Sequence, residues 1–217
     1  MSDSLAPRQA RSRESTRKLL KAAAEVLGQH GLEGTTIPRI AEHAGLTPGA
    51  IYRRFPDKET LLETVILGIL ERQDERLRLA LTPEMAREIP LRVFAEQTIS
   101  NTLIAYRANA ALLRALRRFI QTREPSPFHR KAVALEMRTF QYLVGLFMER
   151  REEIRHPDPQ TAVSLALVMQ FSTIGELFIA NSDKKVWQTV IPSDDATLKR
   201  ELLRSFLSYL GLEAEGS

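Results

Sequence analysis

Residues 35–62 read TTIPRIAEHAGLTPGAIYRRFPDKETLL, and the order of caps and apolar residues in them decides the fold. Thr36 is a natural N-cap, and Pro38 falls in the first turn after it, where a missing N–H does no harm. A short helix is therefore predicted over Ile37–Ala44, with Ile37, Ile40, Ala41 and Ala44 on one face. Gly45 supplies a residue able to take positive φ, and Leu46 is placed to plug a core. Thr47 caps a second short helix with Pro48 at its first position, predicted to run to about Phe55, where Pro56 and Asp57 interrupt it. Two short helices joined by the tight Ala44-Gly45-Leu46-Thr47 turn are the parts of a helix-turn-helix, whose first helix buttresses a projecting second.

The second helix has the surface that base reading requires. Ile51 and Phe55, four residues apart, are assigned to the core, which leaves Ala50, Tyr52, Arg53 and Arg54 pointing outward. Small Gly49 and Ala50 permit close approach to a groove. Arginines reach guanine edges or phosphates, and the tyrosine hydroxyl can donate to a phosphate. The first helical turns at Thr47 and near Lys58 offer free N–H groups to phosphates. The alternatives are a half-buried packing role for Tyr52 and a solvated face for the two arginines.

Outward from this stretch the chain reads as helix, with no convincing alternating strand. Residues 1–12 are expected to be a flexible basic arm. A first helix is predicted over Arg13–His30, with Leu19, Leu20, Ala23, Val26 and Leu27 on its apolar face and Gly31 as its stop. A long fourth helix is predicted from Lys58 to about Leu81, and further helices over about 91–108, 110–122, 127–153, 159–181 and 194–210, between proline-rich breaks. The fold class is all-α: the arm, a helix-turn-helix domain over 13–57, and a larger helical domain over 58–217.

Charge distribution agrees. The 217 residues carry a net charge of +4, and residues 1–60 hold ten Lys/Arg against seven Asp/Glu, so most of the excess lies at the front, where a polyanion would be attracted. There is no cysteine, which excludes disulfides, thiol nucleophiles and Cys-ligated zinc. His30, His43, His129 and His156 show no paired spacing. Neither a Gly-x-Ser-x-Gly elbow nor a phosphate loop occurs, so no catalytic residue, metal or cofactor is expected and the chain does not read as an enzyme. No uninterrupted run of about 18 apolar residues is seen, and no spanning helix is expected. The polar Met1–Arg13 segment is not a secretory signal, which with the cysteine content suits the cytoplasm.

Thr36, Ile40-Ala41, Ala44-Gly45-Leu46-Thr47, Gly49, Ile51-Tyr52, Phe55, Lys58-Glu59 and Leu61-Leu62 together resemble the DNA-binding domain of the TetR (tetracycline repressor) family. The resemblance covers about residues 12–70. It implies DNA contacts from Thr47, Gly49, Ala50, Tyr52, Arg53 and Arg54, with Pro48 opening the same helix, and phosphate contacts from Lys58 and Thr36. Pro38 stands where some members carry a base-reading arginine, and Arg39 replaces it only from another face. Arg8, Arg11 and Arg13 could enter a minor groove, as arms in some members do.

The resemblance also implies an effector pocket in the larger domain and a homodimer through the last two long helices, near 159–181 and 194–210. The first of these is apolar nearly all round, so it must be buried on more than one side. Phe94, Thr98, Tyr106, Phe119, Phe140, Phe147, Met169 and Glu176 are the candidate pocket residues, each also readable as plain core. Glu176, a lone acid in that apolar helix, needs an arginine, a hydroxyl, a cationic ligand or an exposed place at the dimer seam. Two functions follow: a repressor released from pseudo-palindromic, double-stranded operator DNA by an apolar or amphipathic effector, and an architectural or partner-regulated DNA-binding protein with no effector.

Overall fold

Caps and helix breakers divide the chain into α1 (Leu5–Gly34), α2 (Ile37–Ala44), α3 (Pro48–Tyr52), α4 (Lys58–Ala80), α5 (Pro83–Glu88), α6 (Leu91–Ala108), α7 (Ala110–Gln121), α8 (Pro127–Met148), α9 (Pro159–Gly175) and α10 (Asp195–Tyr209). The computed structural model describes residues 5–180 and 194–212. The 182–193 break lies outside the described residues. Among the described residues there is no strand.

Several boundaries differ from expectation. The arm expected over 1–12 is helical from Leu5 onward as the start of α1, and residues 1–4 lie outside the described residues. Gly31, at φ 65°, breaks the helical path where the stop was expected. The third helix closes at Tyr52, because Pro56 cannot continue it and Asp57 accepts from Thr60 N at 2.7 Å to cap α4. Thr82 and Pro83 begin an unforeseen short helix, α5, with the Thr82 hydroxyl accepting from Met85 N. The helix expected to reach 153 ends at Met148 and is followed by a 3-10 turn over Arg151–Glu153. α9 widens into a π turn over Glu176–Ala180.

The helices divide into two units that do not follow the 57/58 boundary. The first comprises residues 1–73 and 111–135, the second residues 74–110 and 136–217. In the first, α1 gives Leu19, Ala23, Val26 and Leu27 to a core completed by Ile40, Ile51, Leu62, Ile66, Leu116, Phe119 and Phe128. Phe119 meets Phe128 edge-on at 5.5 Å. α7 belongs to this core because Ala115, Leu116, Phe119 and Ile120 form its one buried face.

The second unit is built on α6, α8, α9 and α10. Phe147, fully buried, meets Phe94 at 4.8 Å and Phe206 at 5.3 Å. α9 buries Ala162, Val163, Ala166, Leu167 and Ile174. Its Gln170 amide donates to Leu202 O at 3.2 Å and Ser205 Oγ at 3.0 Å, which ties α9 to α10. Pro159–Ile179, at a mean hydropathy of 1.7, is long and apolar enough to cross a membrane, which corrects the expectation that no segment would be. Its scattered Ser, Thr and Gln break any uninterrupted run while the average stays high, and 44% of its 18-residue apolar window is buried inside the protein.

Asp74 fastens α4 to α8 within this unit. Its carboxylate, 2% exposed, accepts from Arg78 Nε at 2.9 Å and Thr139 Oγ1 at 3.0 Å, and it pairs with Arg138 Nη2 at 2.7 Å. Arg78 also lies 4.2 Å above the Tyr142 ring. The hydrogen bond from Arg78, with that from Thr139 and the charge of both arginines, holds the Asp74 pKa below its ordinary 3.8 against the opposing pull of burial.

A group with a lowered folded pKa stabilises the fold above its unfolded pKa and loses that contribution as pH falls through the folded value. Urea unfolding of the wild type should therefore show a midpoint that drops below about pH 4, and Asp74→Asn should lower the neutral-pH midpoint and flatten that acid limb. Phe147→Ala should cost about 3–5 kcal/mol in the same assay. Leu79→Ala, at a position 84% exposed, should stay within about 0.5 kcal/mol of the wild type.

Candidate nucleic-acid interface

Backbone geometry fixes how α3 is presented. Gly45 takes φ 64° and ψ 38°, donates to Glu42 O at 3.1 Å, and is followed by Leu46 N donating to Ala41 O at 2.8 Å. This paired closure needs a left-handed residue after the helix, which glycine supplies without steric cost. Thr47, extended at φ −91°, starts α3, and its hydroxyl accepts from Ala50 N at 3.3 Å. Ile51 is fully buried and Phe55 nearly so, so the inner face of α3 is anchored in the first core.

The outer face is smaller than the sequence suggested. Thr47, Pro48, Gly49 and Arg53 are exposed, and Tyr52 is 54% exposed. Ala50, expected outward, is only 7% exposed, because it follows Gly49 onto the side that carries Ile51. Arg54 is turned back into the protein: Nη1 donates to Ala50 O at 3.0 Å and Nη2 to Ser15 Oγ at 3.2 Å. It staples α3 to α1, a contact with no local sequence signal because Ser15 lies 39 residues away.

A Cβ built on Gly49 would meet nothing within 4 Å among the described residues, so no internal packing calls for glycine there. A glycine there leaves the backbone open to close approach from outside. Thr36 is exposed and caps α2, its hydroxyl accepting from Arg39 N at 3.4 Å. Arg39 is exposed but bonds back to Gly34 O at 2.5 Å, so its guanidinium is partly committed. Lys58 is half-buried in the first turn of α4. The N-termini of α2, α3 and α4 each carry a polar cap, and Thr47, Gly49, Tyr52 and Arg53 form the exposed part of α3. The side chains of Arg8, Arg11 and Arg13 lie outside the described residues.

The expected effector residues divide between the two units, and within the second they divide between core and surface. Phe119 belongs to the core of the first unit. Phe94 and Phe147 fill the second core against each other. Phe140 faces Phe171 at 6.4 Å, and Tyr106 is half-buried. Met169 is 41% exposed and Glu176 is exposed, so both leave the interior. Helical register explains this: Leu165, Val168, Met169, Ser172 and Glu176, three and four apart, form the outward stripe of α9 and its π turn. Thr98 Oγ1 and Gln170 Oε1 are buried without a partner.

Comparison with known proteins concentrates on the first unit. Residues 19–65 match the family described as bacterial regulatory proteins, tetR family. The transcriptional repressor KstR2 of Rhodococcus jostii is 35% identical over 54 residues, 25% of this chain and 26% of that protein. The transcriptional regulator UidR of Escherichia coli is 31% identical over 61 residues, 28% and 31% of the two chains. These matches span about a quarter to a third of the relatives' lengths. The whole fold is similar to a TetR-family regulator from Mesorhizobium loti, with a TM-score of 0.69 and 23% identity over 93% of this chain and 98% of that one. It is also similar to FadR of Bacillus subtilis in complex with stearoyl-CoA, at 0.61 and 21% over 89% and 98%.

Gly49→Ala tests the outward role of α3 directly. The substitution should leave thermal stability equal or higher, since alanine is the better helix former and finds open space. Binding to a target duplex should nonetheless weaken. Arg54→Ala should do the reverse first, lowering the stability of the folded protein by about 1–2 kcal/mol through loss of two hydrogen bonds.

Proposed function

Because its N-terminal domain belongs to the TetR family of bacterial regulatory proteins, we propose that this chain is a homodimeric, ligand-responsive transcriptional repressor. The observation that carries the DNA-binding part is α3 itself: capped, anchored by Ile51 and stapled by Arg54, it leaves Thr47, Gly49, Tyr52 and Arg53 to a partner. Tyr52 and Thr47 suit phosphate contacts, and Arg53 suits a guanine edge. The dimer would place two copies of α3 about one helical turn, roughly 34–36 Å, apart on a pseudo-palindrome. Such a protein acts in the cytoplasm, where the DNA is, and needs no catalytic chemistry.

The outward stripe of α9 supports dimerisation. Leu165, Val168 and Met169 are each more than 40% exposed on a helix that buries its other face in the second core. An apolar stripe of this kind is suited to a second copy of the same helix.

An effector would be received in the second unit, as an apolar or amphipathic molecule among the Phe94, Phe140, Phe147 and Phe171 rings. Thr98 Oγ1 and Gln170 Oε1 are buried polar atoms suited to orienting it. The FadR neighbour holds stearoyl-CoA in the same fold. A second reading, in which a partner protein rather than a small molecule regulates DNA binding, is favoured by the tight ring packing around Phe147.

Fluorescence-anisotropy titration against DNA flanking the chain's own gene, at two salt concentrations and with scrambled DNA as control, tests the proposal. Binding should be sequence-selective and weaken steeply with salt. Tyr52→Ala/Arg53→Ala should reduce specific affinity by at least tenfold, in line with about 1–3 kcal/mol per base contact. Unchanged affinity in that double variant removes α3 from the role of reader. Val168→Glu/Met169→Glu should yield a monomer in sedimentation and abolish tight operator binding. Adding apolar carboxylates or thioesters to the bound complex separates the two readings, because only the first allows release by a small molecule.

A further inference from the structure

A second charge excess lies outside the helix-turn-helix sequence and within the same structural unit. The first unit joins residues 1–73 to residues 111–135. That second segment holds six Lys/Arg (Arg114, Arg117, Arg118, Arg123, Arg130 and Lys131) against Glu124 alone, a net charge of +5. The first unit as a whole carries 17 Lys/Arg against 10 Asp/Glu, and the second 14 against 17. Residues 1–73, helix-turn-helix included, contribute only 11 against 9.

Part of this charge is neutralised inside the unit. Arg118 bonds Glu33 at 2.7 Å, and Arg123 stacks on Phe119 at 3.7 Å while facing Glu63 at 3.9 Å. Arg117 on α7 and Arg130 and Lys131 on the first turn of α8 are exposed, with no acidic partner among the described residues. α7 and the start of α8 are held together by the Phe119–Phe128 contact. The Arg118–Glu33 pair sets this hairpin beside the α1–α2 corner, three residues before Thr36, whose cap opens the DNA-facing surface.

We propose that Arg117, Arg130 and Lys131 form a second, sequence-independent contact surface for the DNA sugar–phosphate backbone, engaging duplex that flanks the sites read by α3. The inference rests on the DNA-binding reading above. Exposed cations in the unit that carries the recognition helix complement a polyanion, and each phosphate they neutralise adds to the salt dependence of binding. The hairpin reads no bases; it adds affinity and draws the protein onto longer DNA.

An operator selected from a random-sequence duplex library with the full-length wild type supplies the probe, in two forms: the bare pseudo-palindrome, and the same site extended by about ten base pairs on each side. Anisotropy titrations across salt should give a steeper slope on the extended duplex. The variant Arg117→Gln/Arg130→Gln/Lys131→Gln should lose that difference, its slope on extended DNA becoming shallower by about five, from three cations on each of two protomers, and its slope on the short site unchanged. Arg117→Lys/Arg130→Lys should keep the wild-type slope, which answers any folding defect in the neutral variant. Equal slopes for neutral variant and wild type on extended DNA overturn the proposal. An equal fall on both duplexes overturns it too, since that reports a general field rather than a flanking contact. A selection that enriches no sequence removes the operator reading itself, a failure distinct from these.

Discussion

A helix of five residues cannot hold its own shape in water, and α3 is five residues long. Everything that makes it usable as a recognition element comes from its surroundings. The left-handed Gly45 aims it, Thr47 and Pro48 start it, and Ile51 and Phe55 pin it to the first core. Arg54 then ties its end to Ser15 on α1. These restraints remove the conformational freedom that would otherwise be lost on binding, and their cost is that half of the helix surface is spent inside the protein. The surface left for a partner is therefore short, polar and rigid.

Local signals were legible in the sequence. Thr36, Pro38 and Gly45 bound α2 to the residue, because capping and positive φ are decided by neighbours in the chain. Signals that depend on distant partners were not. Ala50 and Arg54 look outward on a helical projection, yet one is covered and the other recruited by Ser15. Phe119 reads as well for an effector pocket as for a core, and only the packing of α7 on α1 and α4 residues decides it. Glu176 was legible as unusual, with an exposed place among its readings, whereas Met169 read only as a pocket or core residue, because α9 is apolar on every side and its periodicity gives no orientation.

The second unit follows a different logic. Its core is held by interlocking rings around Phe147 and by a few fully engaged polar groups, Asp74 foremost. A buried carboxylate with two arginines and a threonine is specific rather than strongly stabilising: it tolerates one relation of α4 to α8 and penalises others. Thr98 Oγ1 and Gln170 Oε1 stand in contrast, as buried polar atoms whose bonding capacity is unfilled among the described residues. Under the proposed reading, an effector that meets these two polar atoms shifts the equilibrium only as far as it prefers the state it binds.

Magnitudes also decide why one copy would not suffice. A well-placed base contact is worth about 1–3 kcal/mol of discrimination, whereas a specific regulator must exceed its non-specific binding by about 4–10 kcal/mol. With Ala50 covered and Arg54 engaged, α3 has few groups left to reach bases, Arg53 chief among them. One copy therefore falls at or below the lower end of that range. Two copies on a two-fold site double the discrimination, and a dimer that presents both at fixed spacing loses rotational and translational freedom only once. In the proposed homodimer the shortness of α3 and the exposed apolar stripe of α9 answer each other: a short reader gains from a second copy, and the stripe is a surface suited to holding one.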